Sequence, residues 1–407
     1  MNRLIQGDVG CGKTIVSILA ASIIVDNKCQ VAIIAPTEIL AEQHFKSFNS
    51  HFDNINVKCE LLIGNVTKKN KEIICKDLKS GKINIIVGTH ALIQENVDFD
   101  NLGLVVIDEQ HKFGVEQRKK LITKGKNPNI LAMTATPIPR TLAFTIHGDM
   151  EISWIDEMPK NRKDIKTQII EEKNIISVYA HMREAMDNNE YCYIVFPIIS
   201  ESEKIDAKDA ESAYFKLKDN EFKNYNLGFL HGKMKKEEKD ILMKQFLEGK
   251  INCLISTTVV EVGIDNANAT IMVIENAERF GLTQLHQLRG RVGRGSKEST
   301  CYLIQRKYTP SSFERLKIME RTKDGFEISE EDLKIRGPGD FFGTQQHGYI
   351  KLGLANFYSD IDIIKRARIK AFDIINKDPK LKSIENRLIK KEFLINYKDM
   401  LEFININ

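Results

Sequence analysis

Cysteine is sparse in these 407 residues and never paired along the chain: the seven thiols stand at 11, 29, 59, 75, 192, 253 and 301, with no CxxC among them. That argues against a thiolate zinc module and against a dithiol redox motif. Most fall in short apolar runs, as Cys253 does within 251–256, where a buried free thiol is ordinary and a reducing cytosol fits. Long hydrophobic runs are missing too. Nothing approaches roughly 18 consecutive apolar residues, so no membrane-spanning helix is expected. The first residues lack the charged-then-apolar order of a secretory signal. Neither sign of charge dominates: 60 Lys and Arg face 56 Asp and Glu, a net charge of +4. Any nucleic-acid surface must therefore come from local clustering. Internal repeats and low-complexity blocks are absent.

What the chain does have is enough apolar residue, 42%, for the two to three cores its length suggests. Short β-rich runs at 31–35, 57–63, 83–87, 104–107 and 129–134 alternate with helical spacing at 14–25, 38–48 and 67–78. A second alternating set follows a polar stretch at 158–163, with strands expected at 165–170, 191–198, 227–230, 251–256, 270–275 and 300–304. Alternation of this kind predicts parallel sheets covered by helices on both faces. The fold class is thus α/β, with two such domains in tandem at 1–158 and 159–305. A helical hairpin is expected at 306–350, with helices at 311–322 and 329–335 ended by Arg336-Gly337-Pro338-Gly339. A helical tail follows at 351–407.

The most informative stretch is Gly7-Asp8-Val9-Gly10-Cys11-Gly12-Lys13-Thr14. It follows Leu4-Ile5-Gln6 and opens an apolar helix, the context a phosphate-binding loop requires. Gly7, Gly10 and Gly12 let backbone N–H groups face phosphate at a helix N-terminus. Lys13 is expected on the β- and γ-phosphates of ATP and Thr14 on Mg²⁺. Asp108-Glu109-Gln110-His111 ends the run Leu104–Ile107. A carboxylate there lies at the edge where doubly wound sheets bind ligands. Asp108 is expected to hold Mg²⁺ through water, and Glu109 to polarise the attacking water. His111 has no second ligand at metal spacing, so a hydrogen-bonded link between nucleotide and the next motif is the better expectation. Gln110 is assigned with it.

Gln287-Leu288-Arg289-Gly290-Arg291-Val292-Gly293-Arg294 and Thr134-Ala135-Thr136 resemble motifs VI and III of superfamily 2 helicases and translocases. Arg291 and Arg294, one turn apart, are expected to reach the γ-phosphate when the two domains close. A basic helix facing solvent or nucleic acid is the plainer alternative. Thr257 through Asp265 resembles motif V, which implies that Gly263 and Asp265 lie near nucleotide and that Thr257 and Thr258 face DNA backbone. Pro36-Thr37 and Gly88-Thr89-His90 each follow a strand and precede a helix. Such hydroxyls and amides bind phosphates without reading bases, though Thr37 and Thr89 serve equally as helix N-caps.

Three stretches narrow the resemblance to RecG helicases, the first in the RecG form and the other two shared with the transcription-repair coupling factor. They are Asp108 through Arg118, Met133 through Leu142, and Arg315 through Gln346 with its Asp324-Gly325-Phe326 and Arg336-Gly337-Pro338-Gly339-Asp340. The resemblance implies two RecA-like domains and a hairpin whose loop couples domain closure to movement on double-stranded DNA. It places Arg315 and Gln346 as an interacting pair, with Arg336, Thr134 and Thr136 also in coupling. ATP and Mg²⁺ are the implied cofactors, and double-stranded and branched DNA the partners. A monomer in the bacterial cytoplasm at the nucleoid is implied, with single-stranded-DNA-binding protein as a further candidate partner. The wedge domain and adenine-reading segment that precede the phosphate loop in that family are expected to be missing here, which would impair fork remodelling. A transcription-repair coupling factor fragment is the nearest enzymatic alternative, and a non-motor DNA-binding scaffold the alternative from another class.

Overall fold

Apolar runs form strands here because both faces of each sheet are covered. The computed structural model describes residues 1–64, 66–135, 150–159, 163–197, 203–257, 266–341 and 360–404. The first sheet contains β1 (Asn2–Gly7), β2 (Gln30–Ile34), β3 (Cys59–Leu62), β4 (Ile85–Gly88), β5 (Leu102–Ile107), β6 (Asn129–Thr134) and β7 (Glu151–Ile155). Their order is β3-β4-β2-β5-β6-β1-β7, and every pairing is parallel. Helices α1 (Lys13–Asp26), α2 (Glu38–Phe52), α3 (Lys68–Lys79) and α4 (Val115–Ile122) cover it. The two-residue period splits each strand between layers. Val31, Ile33, Leu104 and Val106 pack with Ile18, Ala21 and Phe48, whereas Ala32, Ile34, Val105 and Ile107 pack with Leu78 and Leu121.

The second sheet contains β8 (Ile165–Glu171), β9 (Tyr191–Phe196), β10 (Leu227–Leu230), β11 (Cys253–Thr257), β12 (Ala269–Ile274) and β13 (Ser299–Gln305). It is again parallel throughout, in the order β10-β11-β9-β12-β13-β8. Its helices are α5 (Ile175–Asp187), α6 (Glu203–Lys216), α7 (Lys236–Leu247) and α8 (Leu282–Arg289).

Parallel strands open their C-terminal ends along one edge, where open α/β sheets bind ligands. Along the first sheet that edge presents Gly7, Pro36, Thr89, Asp108 and Ala135, each at or just past a strand end. The fold thus gathers on one rim the motifs scattered along the sequence.

Two features depart from expectation. Strand β7 has no apolar run to announce it: Glu151-Ile152-Ser153-Trp154-Ile155 is partly exposed along its length. It pairs at the sheet edge with β1, where one flank stays wet. Arg3 of β1 helps hold it through Ser153, 2.7 Å away, and through Glu151.

The second departure lies beyond β13. Helix α9 (Pro310–Arg321) begins as a capping box, Thr309 Oγ1 accepting from Ser312 N–H at 3.1 Å with Pro310 in the first turn. Helix α10 (Gly325–Phe341) starts earlier than the expected 329 because the Asp324 carboxylate accepts from Phe326 N–H at 2.8 Å. It also runs through Arg336-Gly337-Pro338-Gly339 instead of ending there. A proline removes one backbone donor and bends a helix, but the neighbouring bonds still carry it on.

Helices α11 (Ile361–Lys377) and α12 (Arg387–Ile404) complete the chain. Two compact units divide it: one holds both sheets and ends at Gly337, and the other takes the chain from Pro338 onward. Among the described residues no helix is long and apolar enough to cross a membrane.

Candidate nucleotide site between the two sheets

Between β1 and α1 the backbone turns through glycines that no other residue replaces cheaply. Gly10 and Gly12 have φ of +79° and +102°, the left-handed region that a Cβ resists. A Cβ on Gly7 would lie 2.5 Å from Cys11 Sγ and 3.1 Å from Ile155. Lys13 Nζ donates to the carbonyls of Gly7 and Asp8, each at 2.9 Å, so its ammonium lies across the loop. Cys11 is buried, and burial raises its thiol pKa. It packs the loop and is no nucleophile.

Asp108, just past β5, is buried. Its Oδ2 lies 2.7 Å from Nε2 of His44 on α2, and its Oδ1 accepts from Glu109 N–H at 3.0 Å. Burial acts to raise its pKa, but the His44 hydrogen bond and charge, with Lys13 behind them, outweigh it and hold the carboxyl below the usual range. His44 was not anticipated from sequence. Its signal is the spacing Ala41, His44, Phe48, which puts a histidine on the buried stripe of α2, and a buried imidazole needs a partner.

Glu109 sits in the left-handed region at φ +50°, a conformation costing about 1 kcal/mol or more in a non-glycine residue. Its Oε2 accepts from Ala135 N–H at 3.4 Å and stands 3.6 Å from His111 Nδ1. Burial and then the Asp108 charge raise its pKa, against a downward pull from Lys13, Ala135 N–H and Arg291. His111 is pushed down to about 4, first by burial and then by Lys112, so its ring is neutral at pH 7. Gln110 turns elsewhere, its Nε2 3.6 Å from Met150 Sδ. Thr134 is buried at the end of β6.

From the second sheet come the arginines, though not on a helix as their spacing suggested. Helix α8 stops at Arg289, and Arg291 and Arg294 stand in the following turn, where Gly293 has φ +73°. Arg294 Nε donates to Gly290 O at 3.1 Å. A cavity of about 510 Å³ is lined by Lys13, Thr14, Asp108, Glu109 and His111 from one side and by Gln287, Arg291 and Arg294 from the other. The size suits a small-molecule ligand.

The residues expected at DNA are placed less suggestively. Thr37 Oγ1 accepts from Leu40 N–H at 3.3 Å and caps α2. Pro36 is half-buried beside it. Gly88 is a packing glycine, since a Cβ there would lie 2.3 Å from the Leu62 carbonyl oxygen. Thr89 and Thr257 are buried with no hydrogen-bond partner for their hydroxyls among the described residues, and His90 is exposed. Arg315 donates to the carbonyl of Glu278, whose carboxylate accepts from Arg306 N–H at 3.3 Å and Lys307 N–H at 3.1 Å. Thr136, Thr258, Gly263, Asp265 and Gln346 lie outside the described residues, and of Arg336 only its place in α10 is described.

Comparison with known proteins accounts for nearly the whole chain. A DEAD/DEAH box helicase model matches residues 1–144, and a helicase conserved C-terminal domain model matches 162–296. The model for ATP-dependent DNA helicase RecG, domain 3, C-terminal, matches 322–406. RecG of Synechocystis sp. is 48% identical over 390 residues, covering 96% of this chain and 47% of its own. RecG of Bacillus subtilis is 46% identical over 394 residues, covering 97% and 58%. The chain belongs to the RecG family.

A structure of RecG bound to a three-way DNA junction is similar at a TM-score of 0.75 and 44% identity, covering 90% of this chain and 47% of that one. The Mycobacterium smegmatis helicase Lhr, 16% identical at a TM-score of 0.59 over 79% of this chain and 46% of its own, shares the fold. The chain spans about half the length of the RecG relatives it matches. Its match to a RecG-specific model over 322–406 favours this family over the transcription-repair coupling factor.

Proposed function

We propose that this chain is an ATP-driven motor that moves on double-stranded DNA at branched structures, such as stalled forks and Holliday junctions, in repair and recombination. One observation carries the reading: Lys13, Thr14, Asp108 and Glu109 share a cavity with Arg291 and Arg294 of the other sheet. A triphosphate in that cavity is gripped from one side and completed from the other. The RecG relative solved with a three-way junction supports branched DNA as the substrate.

The chemistry follows from the side chains. Lys13 and the loop amides between Gly7 and Thr14 hold the β- and γ-phosphates. Glu109 orients a water toward the γ-phosphorus and draws on its proton as the bond to the leaving oxygen breaks. Arg291 and Arg294 balance the charge that spreads over the transferring group. Mg²⁺ fits the donor set, because Asp108 is held ionised and the Thr14 hydroxyl lines the same cavity, both hard oxygen ligands. It would be held by these two and would neutralise phosphate charge. His111 and Thr134, with Gln110, Thr136, Gly263 and Asp265, are the coupling and nucleotide positions. Pro36, Thr37, His90 and Thr258 form the track to DNA backbone, and Gly88, Thr89 and Thr257, which are packed or buried, support it from beneath. Arg315, Arg336 and Gln346 act as the lever. Division at 158, 305 and 350, a monomeric state at the nucleoid, and contact with single-stranded-DNA-binding protein belong to the same reading.

ATP turnover by the chain, alone and with forked DNA, tests it. Turnover stimulated by the fork is expected. No turnover in either condition leaves the scaffold reading standing, and stimulation by RNA polymerase would revive the coupling-factor one.

Acidity gives a separate check. Because the pKa of Glu109 is raised by burial and by the Asp108 charge while that of Asp108 is lowered, Glu109 is the first of the two to take up a proton as pH falls. The ionised base is present above the raised value and is lost as pH falls through it. A pH profile of kcat/KM should therefore show a single-proton acidic limb centred above 4.5, the ordinary glutamate value. A flat profile down to pH 4.5 would remove Glu109 from the chemistry.

A further inference from the structure

The two sheets meet a second time, beside the cavity, and the contact leads to the helical hairpin. Asp8 directly follows the first glycine of the phosphate-loop pattern, at a position the pattern itself leaves open. Its Oδ1 accepts from Val9 N–H at 2.6 Å and lies 2.6 Å from Nε2 of His286 on α8. The other ring nitrogen of His286, Nδ1, is 2.8 Å from Arg289 Nη2. Arg289 belongs to the same arginine-rich motif as Arg291 and Arg294 but does not line their cavity. It is buried, and it donates to the carbonyls of Met319 and Thr322 at 2.9 Å each and of Lys323 at 3.2 Å. Those carbonyls end α9 and begin the link to α10.

Donor and acceptor roles run one way through this chain of contacts. A guanidinium only donates, so Nδ1 accepts from Arg289 and Nε2–H donates a hydrogen bond to the Asp8 carboxylate. Arg289 meanwhile satisfies carbonyls that the end of α9 leaves without helical partners, at the negative pole of that helix. Val9 seats the loop beside it, close enough that a Cβ on Gly290 would lie 3.0 Å from Val9 Cβ.

We propose that Asp8, His286 and Arg289 form a relay of positioning residues that reports the state of the phosphate loop to the α9–α10 hairpin. The proposal rests on the nucleotide reading above. The Asp8 carbonyl is one of the two that hold Lys13. A triphosphate that draws Lys13 away frees the Asp8 peptide to turn, and its carboxylate carries His286 with it. Arg289 follows, and the end of α9 shifts with the guanidinium that caps it. Nucleotide occupancy thereby reaches the segment the family match marks as its own, with no contact between nucleotide and hairpin.

Amide hydrogen exchange across residues 316–328 tests this in the full chain, with and without a non-hydrolysable ATP analogue whose Kd is measured in parallel. Ordinary coupling between sites predicts about a 5-fold or larger nucleotide-dependent change in exchange. His286→Phe should abolish that response with the analogue still bound at a Kd within about twofold of wild type. His286→Gln, which keeps one donor and one acceptor, should restore it. If His286→Phe fails to fold, Asp8→Ala cuts the same link from the loop side and removes no buried ring. Full exchange response in the link-breaking variant overturns the relay alone, as does no response in wild type that binds the analogue. Wild type that binds no analogue overturns both the relay and the nucleotide reading.

Discussion

Arg291→Ala is expected to slow ATP turnover by about 10³–10⁵-fold, with a far smaller change in nucleotide affinity. The argument is one of timing. Charge spreads over the transferring phosphoryl group only as the bond to the leaving oxygen breaks, so a guanidinium aimed there acts most strongly on the transition state. Arg291 is almost wholly buried at the cavity wall, and its charge already bears on Glu109. Low exposure strengthens the interaction, because little water screens it. Arg291→Lys keeps the charge but loses the planar fork and should recover little of the rate. Single-turnover hydrolysis with DNA present measures the effect. An Arg291→Ala protein that turns over within tenfold of wild type takes Arg291 out of the reaction and leaves Arg294 as the second sheet's only arginine on the cavity.

Lys13→Ala acts from the opposite wall and on more steps. The ammonium hydrogen-bonds to Gly7 O and Asp8 O, and on phosphate it gains charged acceptors in place of carbonyls. Its loss should weaken triphosphate binding and reduce kcat by about 10²–10³-fold. The fold should lose little, since only two hydrogen bonds go, those to the carbonyls of buried Gly7 and half-buried Asp8. Equilibrium binding of a fluorescent ATP analogue, set beside steady-state turnover, separates the two losses. Undiminished turnover in Lys13→Ala would move the triphosphate elsewhere. The pair also forms a contrast: Lys13→Ala affects affinity and rate, Arg291→Ala chiefly rate. Equal loss of affinity in both would point to a cavity already closed in the ground state.

Much of the candidate nucleotide site was legible in the sequence because its parts are local. Gly7 through Thr14 carries its own backbone geometry: glycines at the positive-φ positions and a helix that opens at Lys13. Asp108 and Glu109 were found because an apolar run stops at Ile107. Strand β7 was missed because a partly exposed edge needs no continuous apolar run. The end of the hairpin's second helix was misplaced because Pro338 reads as a terminator, although α10 continues to Phe341. His44 was missed because its role depends on a carboxylate 64 residues away.

By itself the sequence determined the class of fold, the phosphate loop and the family resemblance, since each is written in short-range order: apolar periodicity, glycine spacing, a residue beside its neighbour. Tertiary structure decided everything that depends on meeting across distance. It brought Arg291 and Arg294 to the cavity from a turn and not from a helix, set His44 against Asp108, and joined Asp8 to His286 across 278 residues. A chain can encode the type of each side chain locally, but a hydrogen bond of 2.6 Å between distant segments exists only once two sheets have packed.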